Sequence, residues 1–312
     1  MKIAIGLLQA ILLLLMAPLV RGIISRVKAR FQNRRGASIF RPYQDLLKLF
    51  RKEDLVPPTA SVVFRAAPIV LFAATAVVSL FIPVLHESAL LGMSGDFVFI
   101  VYLLALARFF LMLGGMDGGS AFGGLGASRE ALVSALAEMP LMLGLTAIIV
   151  ASRATSISGA LHWTLQQDFS EFSAVQALAL VALALVAAAE TGRIPVDNPT
   201  THLELTMIHE AMTLEYSGPS LALIEWASAL KLTLISALLI ALFAPWGIAS
   251  SGSVVLIAIA LFAFVAKVML LVLIVALVES GVAKMRMYLV PDFLGVASAL
   301  ALLAIVFAGM TR

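Results

Sequence analysis

The chain has 312 residues, 62% of them hydrophobic and only 12% charged, with a mean hydropathy of +1.07, which excludes a soluble globular domain and places it in a bilayer. A formal net charge of +3 and a pI near 9.3 do not signal nucleic-acid binding, which calls for basic residues interleaved with exposed aromatics on a soluble face. With no cysteine, iron–sulfur ligation and thiolate metal sites are excluded within this chain.

At about 1.5 Å per helical residue, about eight apolar segments are long enough to cross a hydrocarbon core of about 30 Å. They fall near residues 3–20, 65–85, 97–115, 130–151, 173–190, 226–246, 253–278 and 291–310. Their apolar runs are continuous rather than alternating, so the predicted architecture is an all-α polytopic bundle, a single membrane domain over 1–312, and not a barrel. The first segment, 18 residues long, exceeds a secretory h-region and is followed rather than preceded by positive charge, which predicts a retained helix with its N-terminus outside.

Residues 21–64 form the first large loop, and eleven basic residues lie between Arg21 and Arg65. Arg129, Arg193, Lys284 and Arg286 add to the same side, against Lys2, Arg153 and Arg312 on the other. The asymmetry predicts cytoplasmic large loops and both termini outside. Within this loop RRGASIFRPYQDLLKLFRK, from Arg34 to Lys52, puts Ile39, Tyr43, Leu46, Leu47 and Phe50 near one face and Arg41, Asp45, Lys48 and Arg51 mostly on the other. That pattern predicts an amphipathic surface helix stopped by Pro57 and Pro58, either a lipid anchor or a docking surface for a peripheral partner.

Arg108 falls near the middle of the third predicted span and Lys267 near the middle of the seventh, where an ionisable group costs about 2.5–3.5 kcal/mol unless paired or hydrated. Lys231 lies about a turn inside its span. The run GGMDGGSAFGGLGAS, from Gly114 to Ser128, is either a flexible connector or a close-packed wall of a polar cavity near Asp117, Arg129 and Glu130. In the fourth span Glu130, Ser134 and Glu138 share a face at i, i+4, i+8, and Pro140 frees a backbone carbonyl near that stripe. Two readings remain open: buried ion pairs, such as Glu138 with Arg108 or Lys267, or a proton or cation path.

The acidic loop 190–225 bears most directly on function. ETGRIPVDNPTTHLELTMIHEAMTLEYSG, from Glu190 to Gly218, holds Glu190, Asp197, Glu204, Glu210 and Glu215 against a single Arg193, and Glu225 follows shortly after. Such a segment suits proton or cation handling rather than headgroup anchoring. His202, Glu204, His209 and Glu210 lack H-E-x-x-H spacing and a third strong ligand, so proton relay or loop hydrogen bonding is favoured over a metal. There is no phosphate loop and no dinucleotide fingerprint, so any redox cofactor is assigned to partners. The halves show no convincing internal repeat of the kind that marks a stand-alone secondary transporter.

These residues carry a resemblance. The sequence resembles the H-type membrane subunit of respiratory complex I (NADH dehydrogenase subunit 1), and more closely its relatives in membrane-bound hydrogenases, formate hydrogenlyase subunit 4 and hydrogenase-4 component C. The shared motifs are the R-x-G turn and D-x-x-K-L at Arg35, Gly36, Asp45, Lys48 and Leu49, and A-E-x-x-R-x-P-x-D at Glu190, Arg193, Pro195 and Asp197, with E-Y-S-G at Glu215 to Gly218. YLLALARFF, GMDGGSAFGGLGASRE and Lys231 in a W-x-x-x-L-K context favour the hydrogenase branch. Two of the three acids that usually follow the loop aspartate are replaced by Thr200 and His202, with Glu204 retained, and the loop is about three residues longer.

The resemblance implies a non-catalytic subunit that anchors a soluble nickel–iron hydrogenase-like module and couples its electron transfer to proton or sodium movement in a cell inner membrane. The nickel–iron centre and iron–sulfur clusters are then expected in partners: the soluble hydrogenase large and small subunits, an iron–sulfur subunit and antiporter-like membrane subunits. The expected ion path comprises Glu138, Glu190, Asp197, Glu204, Glu215, Lys231, Lys267 and Arg108. The expected junction with the soluble module comprises Arg34, Arg35, Asp45, Lys48, Asp117, Arg129, Glu130 and Arg193. The alternative is the quinone-chamber subunit of a complex I-type NADH:quinone oxidoreductase.

Overall fold

A computed structural model describes residues 2–167, 173–197 and 207–310. Ten α-helices follow in order: α1 Lys2–Phe31, α2 Arg41–Phe50, α3 Val62–Val78, α4 Asp96–Asp117, α5 Ala121–Ser152, α6 Ile157–Gln166, α7 Ala174–Glu190, α8 Gly218–Phe243, α9 Val254–Gly281 and α10 Val290–Met310. Among the described residues the only β feature is an isolated bridge between His86 and Ala249. The chain is therefore an all-α, multi-pass membrane protein. Among the described residues six helices are long and apolar enough to span a bilayer, and α3 and α7, at two of the eight expected spans, are shorter apolar helices of 17 residues each.

α8 is the hub. It is buried along most of its length and touches α1, α2, α3, α6, α7 and α9, whereas α9 and α10 turn most of their apolar surface outward. Those outward faces, with Phe262, Leu270, Val296 and Val306 among them, match a lipid environment that needs no polar cover. One continuous core of Leu13, Ile148, Leu183, Leu238 and Phe264 ties α1, α5, α7, α8 and α9 together.

Several boundaries differ from the sequence expectation, for one physical reason: hydropathy marks where the solvent changes, while a helix ends where its backbone is capped. α1 continues through Arg21, Arg26 and Lys28 to Phe31, because Arg and Lys are good helix formers and need not end a helix on leaving the bilayer. The surface helix is shorter than Arg34–Lys52. Pro42 occupies its first turn, where proline is tolerated but blocks extension towards Arg34. α8 likewise begins at Gly218 with Pro219 in its first turn, so Gly218 to Glu225 are helical rather than part of the acidic loop.

The glycine-rich run is not a flexible connector. It ends α4 and begins α5, with Ser120 capping α5 by accepting from the Gly123 amide. A Cβ on Gly114 would stand 2.1 Å from Tyr216 Oη, and one on Gly123 only 2.2 Å from the Gly115 carbonyl. Close packing is thus the reason for these glycines. Gly124 has open space around its Cβ position. Gly114→Ala is expected to lower stability by about 1–3 kcal/mol through overpacking. Gly124→Ala is expected to raise it by roughly 0.5–1 kcal/mol through helix propensity, with thermal unfolding of the purified chain reading both.

The sequence reading missed α6. Ser156 caps it by accepting from the Gly159 amide, and Ile157, Ala160, Leu161 and Thr164 bury one face at helical spacing. That cap and that spacing were the available signal.

Candidate functional site

Four charged side chains from four helices meet within the bundle. Arg108 of α4 uses its guanidinium as a fork: one Nη donates to Glu190 Oε1 at 2.6 Å and the other to Glu138 Oε1 at 3.2 Å. Lys231 of α8 brings its Nζ to 2.9 Å from the second oxygen of Glu190. The result is a chain Glu138–Arg108–Glu190–Lys231 with no net formal charge. Side-chain exposure grades along it, from 0% at Glu190 and 5% at Arg108 to 39% at Glu138. Glu190 is the enclosed hub and Glu138 the open end. The Arg108–Glu138 ion pair is therefore present. Arg108 Nε and Ser134 Oγ, on the same wall, are buried without a protein hydrogen-bond partner among the described residues.

Two boundary effects bring the four together. Glu190 is the last residue of α7, where the helix end places its carboxylate into the bundle rather than into the loop beyond it. Lys231 lies 13 residues into α8 because the helix starts at Gly218, and its side chain, 13% exposed, turns to Glu190.

A cavity of about 70 Å³ adjoins this chain. Arg108, Glu190 and Lys231 line one side, and Glu130, Arg193, Asp197, His209 and Glu210 line another, with the Arg21–Glu225 ion pair at its edge. It has room for a few water molecules among groups polar enough to hold them. Glu130, Ser134 and Glu138 do share one face of α5, and that face borders the cavity and the charge chain.

A second buried cluster was not anticipated. Glu279, near the end of α9 and 4% exposed, accepts from Lys28 of α1 at 3.0 Å through one oxygen and from Arg193 at 2.9 Å through the other. The predicted seventh span stops at residue 278, one short of Glu279; the signal was a lone acid at a helix end facing a basic surplus. Asp197 pairs with Lys284 at 2.6 Å beside it. Removing Glu279 leaves two cations without their shared partner. Glu279→Gln is expected to lower stability by about 3 kcal/mol, and a thermal midpoint equal to wild type would contradict the assignment.

The remaining expected residues divide by place. Asp117 accepts from the Ser61 amide at 2.8 Å, the Ser61 hydroxyl at 2.9 Å and the Phe64 amide at 3.1 Å, so it anchors the start of α3. Arg129 donates to the Met207 carbonyl at 3.0 Å, fixing the returning loop on α5. Glu215 packs on Gly118, and next to it Tyr216 stacks on Phe64 at 4.0 Å and donates to the Phe64 carbonyl at 3.1 Å. Burial first, and then the carboxylates of Asp117 and Asp54, hold the Tyr216 phenol above its ordinary range, which keeps that donor protonated. Arg34, Arg35, Asp45 and Lys48 are exposed, with Asp45 paired to Arg41 at 3.0 Å. Glu204, with Thr200 and His202, lies outside the described residues.

Lys267 stands apart. Its ammonium donates to the Trp246 carbonyl beyond the far end of α8, about 20 Å along that helix from Lys231. Of the two ion pairs expected for Glu138, the one with Arg108 forms and the one with Lys267 does not. A mid-span cation needs an acceptor, and here a loop carbonyl supplies it in place of a carboxylate.

A sequence profile described as NADH dehydrogenase matches residues 3–309. The chain is 34% identical over 302 residues to hydrogenase-4 component C of Escherichia coli (strain K12), covering 97% of this chain and 94% of that protein. It is 33% identical over 310 residues to formate hydrogenlyase subunit 4 of the same organism, covering 98% of each. It is 30% identical over 243 residues to the H-type subunit of NADH-quinone oxidoreductase from Thermomicrobium roseum, covering 70% of each. The fold also matches a chain of the membrane-bound sulfane sulfur reductase, an archaeal respiratory membrane complex, with a TM-score of 0.84 at 22% identity over 99% of this chain and 100% of that one.

Proposed function

Because the chain belongs to the NADH dehydrogenase family, we propose that it is the membrane-anchor and ion-coupling subunit of a complex I-like enzyme of the membrane-bound nickel–iron hydrogenase or formate hydrogenlyase type. The near full-length identity to hydrogenase-4 component C and formate hydrogenlyase subunit 4 supports the type of complex. The observation that carries the coupling role is the charge chain Glu138–Arg108–Glu190–Lys231, enclosed at Glu190 and open at Glu138.

In this reading the nickel–iron centre and clusters belong to the soluble hydrogenase large and small subunits and to an iron–sulfur subunit. These partners dock on the basic end of the bundle, where Arg34, Arg35, Asp45 and Lys48 face outward. Basic asymmetry makes that end cytoplasmic and puts both termini outside. Asp117, Arg129, Glu130 and Arg193 hold the floor of the junction.

A change of charge at the docked module shifts the protonation of the acids around the cavity. Glu190 senses that shift because Arg108 and Lys231 share it. Arg108 then changes its hold on Glu138, the exposed end of the chain, from which a proton or sodium ion passes towards antiporter-like partner subunits. The unpartnered Arg108 Nε and Ser134 Oγ support a hydrated passage, since buried polar groups of this kind are customarily satisfied by water.

The alternative reading, a quinone-chamber subunit, is favoured by the match to the H-type subunit of NADH-quinone oxidoreductase. Purifying the tagged chain in mild detergent, with its partners attached, separates the two. Nickel, hydrogen evolution and hydrogenase-sized partner masses are expected. Flavin with inhibitor-sensitive quinone reduction would move the chain to the other branch.

A further inference from the structure

Beside the charge chain, and outside it, two neighbouring spaces meet at one residue. The first is a recess of about 360 Å³ lined by Arg21, Lys28, Gln32, Arg34, Arg193 and Glu279. Four cations there face one carboxylate, and Glu225 matches Arg21 from α8, leaving two positive charges in surplus. Lys28 and Arg193 are held in place by the two oxygens of Glu279. Arg34, at the outer edge, donates to the neutral amide oxygen of Gln32 and to no carboxylate among the described residues.

The second space is an apolar groove of about 570 Å³ between α7, α8 and α9. It exists because α9 packs chiefly on α1 and only lightly on α8, while α7 presents Ala184, Ala187 and Ala188 where larger side chains would close the gap. The groove follows α8 from Leu232 to Ala244, about 18 Å, which is close to half of a hydrocarbon core of about 30 Å. Its far end is closed by Lys267, whose ammonium is taken up by the Trp246 carbonyl. Arg193 lines both the recess and the groove.

A cationic recess that shares Arg193 with a one-leaflet apolar groove is complementary to one kind of molecule. We propose that this chain carries a structural anionic phospholipid, its phosphate headgroup at Lys28, Arg34 and Arg193 and an acyl chain in the α7–α8–α9 groove. The groove alone selects nothing, since lipid tails and leucine side chains are equally apolar; selectivity comes from the basic pocket. The same lipid fills the space that α9 leaves against α8 and holds Arg193, the residue that continues from α7 into the acidic loop.

The test uses the purified complex, its phospholipid content measured after detergent exchange, and then presented with phosphatidylglycerol, phosphatidylcholine or sodium phosphate. Phosphatidylglycerol is expected to stay bound through purification at about one per chain and to raise the unfolding midpoint, while phosphatidylcholine exchanges away. Ala184→Phe fills the groove at an exposed position, and Arg34→Gln removes one cation without touching the Glu279 pairs; each is expected to weaken phosphatidylglycerol retention about fivefold. Equal retention of the two lipids, or retention unchanged in both variants, overturns the proposal. So does stabilisation by sodium phosphate alone with Ala184→Phe indistinguishable from wild type, which would mark a free-anion site. Because the readout is bound lipid, its failure is separable from failure of the coupling role.

Discussion

Replacing Arg108 by methionine is expected to lower the stability of the membrane bundle by about 3–5 kcal/mol, enough to deplete the assembled protein. The methionine fills a similar space, so the loss is electrostatic. Among the described residues Arg108 is the one group in contact with both Glu138 and Glu190, and removing it leaves the fully enclosed Glu190 paired with Lys231. Arg108→Lys is expected to recover little, because a single ammonium cannot reach two carboxylates that the guanidinium spans with separate nitrogens. Thermal unfolding in detergent, followed by size-exclusion profile, reads both variants. A midpoint within a degree or two of wild type for Arg108→Met would mean that the chain of charge is not held together as described.

The second large effect separates neutrality from ion handling. Glu190→Gln turns a neutral cluster into one with a surplus positive charge, and a loss of about 2–4 kcal/mol is expected from the newly unmatched Lys231. Adding Lys231→Met restores neutrality while Arg108 keeps its bond to Glu138. The double variant is therefore expected to regain most of the stability and to remain uncoupled, since the group that shares charge between α4 and α8 is gone. The two residues are in contact, so the departure from additivity is itself the measured quantity. A double variant that is as unstable as the single one would assign Glu190 a packing role, and one that recovers ion movement would remove it from the path.

The helices were legible in the sequence because an apolar run of span length has few other uses, and a bilayer demands that each backbone group be paired within it. Their ends were not. Arg21 and Lys28 lie past the predicted first span yet stay helical, and Pro42 and Pro219, which start helices, resemble loop residues when only hydropathy is weighed. The same difference puts Lys231 13 residues into α8, although it lies only about a turn inside the predicted span.

At the site, the helical spacing of Glu130, Ser134 and Glu138 identified one wall, and the cost of a mid-span charge identified Arg108. Neither could identify Glu190 as the hub, because contacts between α4, α5, α7 and α8 are tertiary and leave no trace in spacing. Lys267 shows the limit from the other side. The rule that a mid-span cation needs an acceptor held, but a carbonyl at Trp246 met it. The glycine-rich run was ambiguous because glycine is both the most permissive residue and the smallest, and only the position of Tyr216 Oη against Gly114 shows that size was the reason.

The most direct test of the coupling role is ion uptake per hydrogen evolved in sealed vesicles carrying wild-type complex or Glu138→Gln. Glu138 is partly exposed, and its loss leaves the Arg108–Glu190–Lys231 contacts in place, so the variant complex is expected to assemble and turn over. Uptake per hydrogen is expected to fall at least about fivefold, the lower end of a typical coupling free energy between sites. An ion gradient equal to wild type at equal turnover would contradict the account.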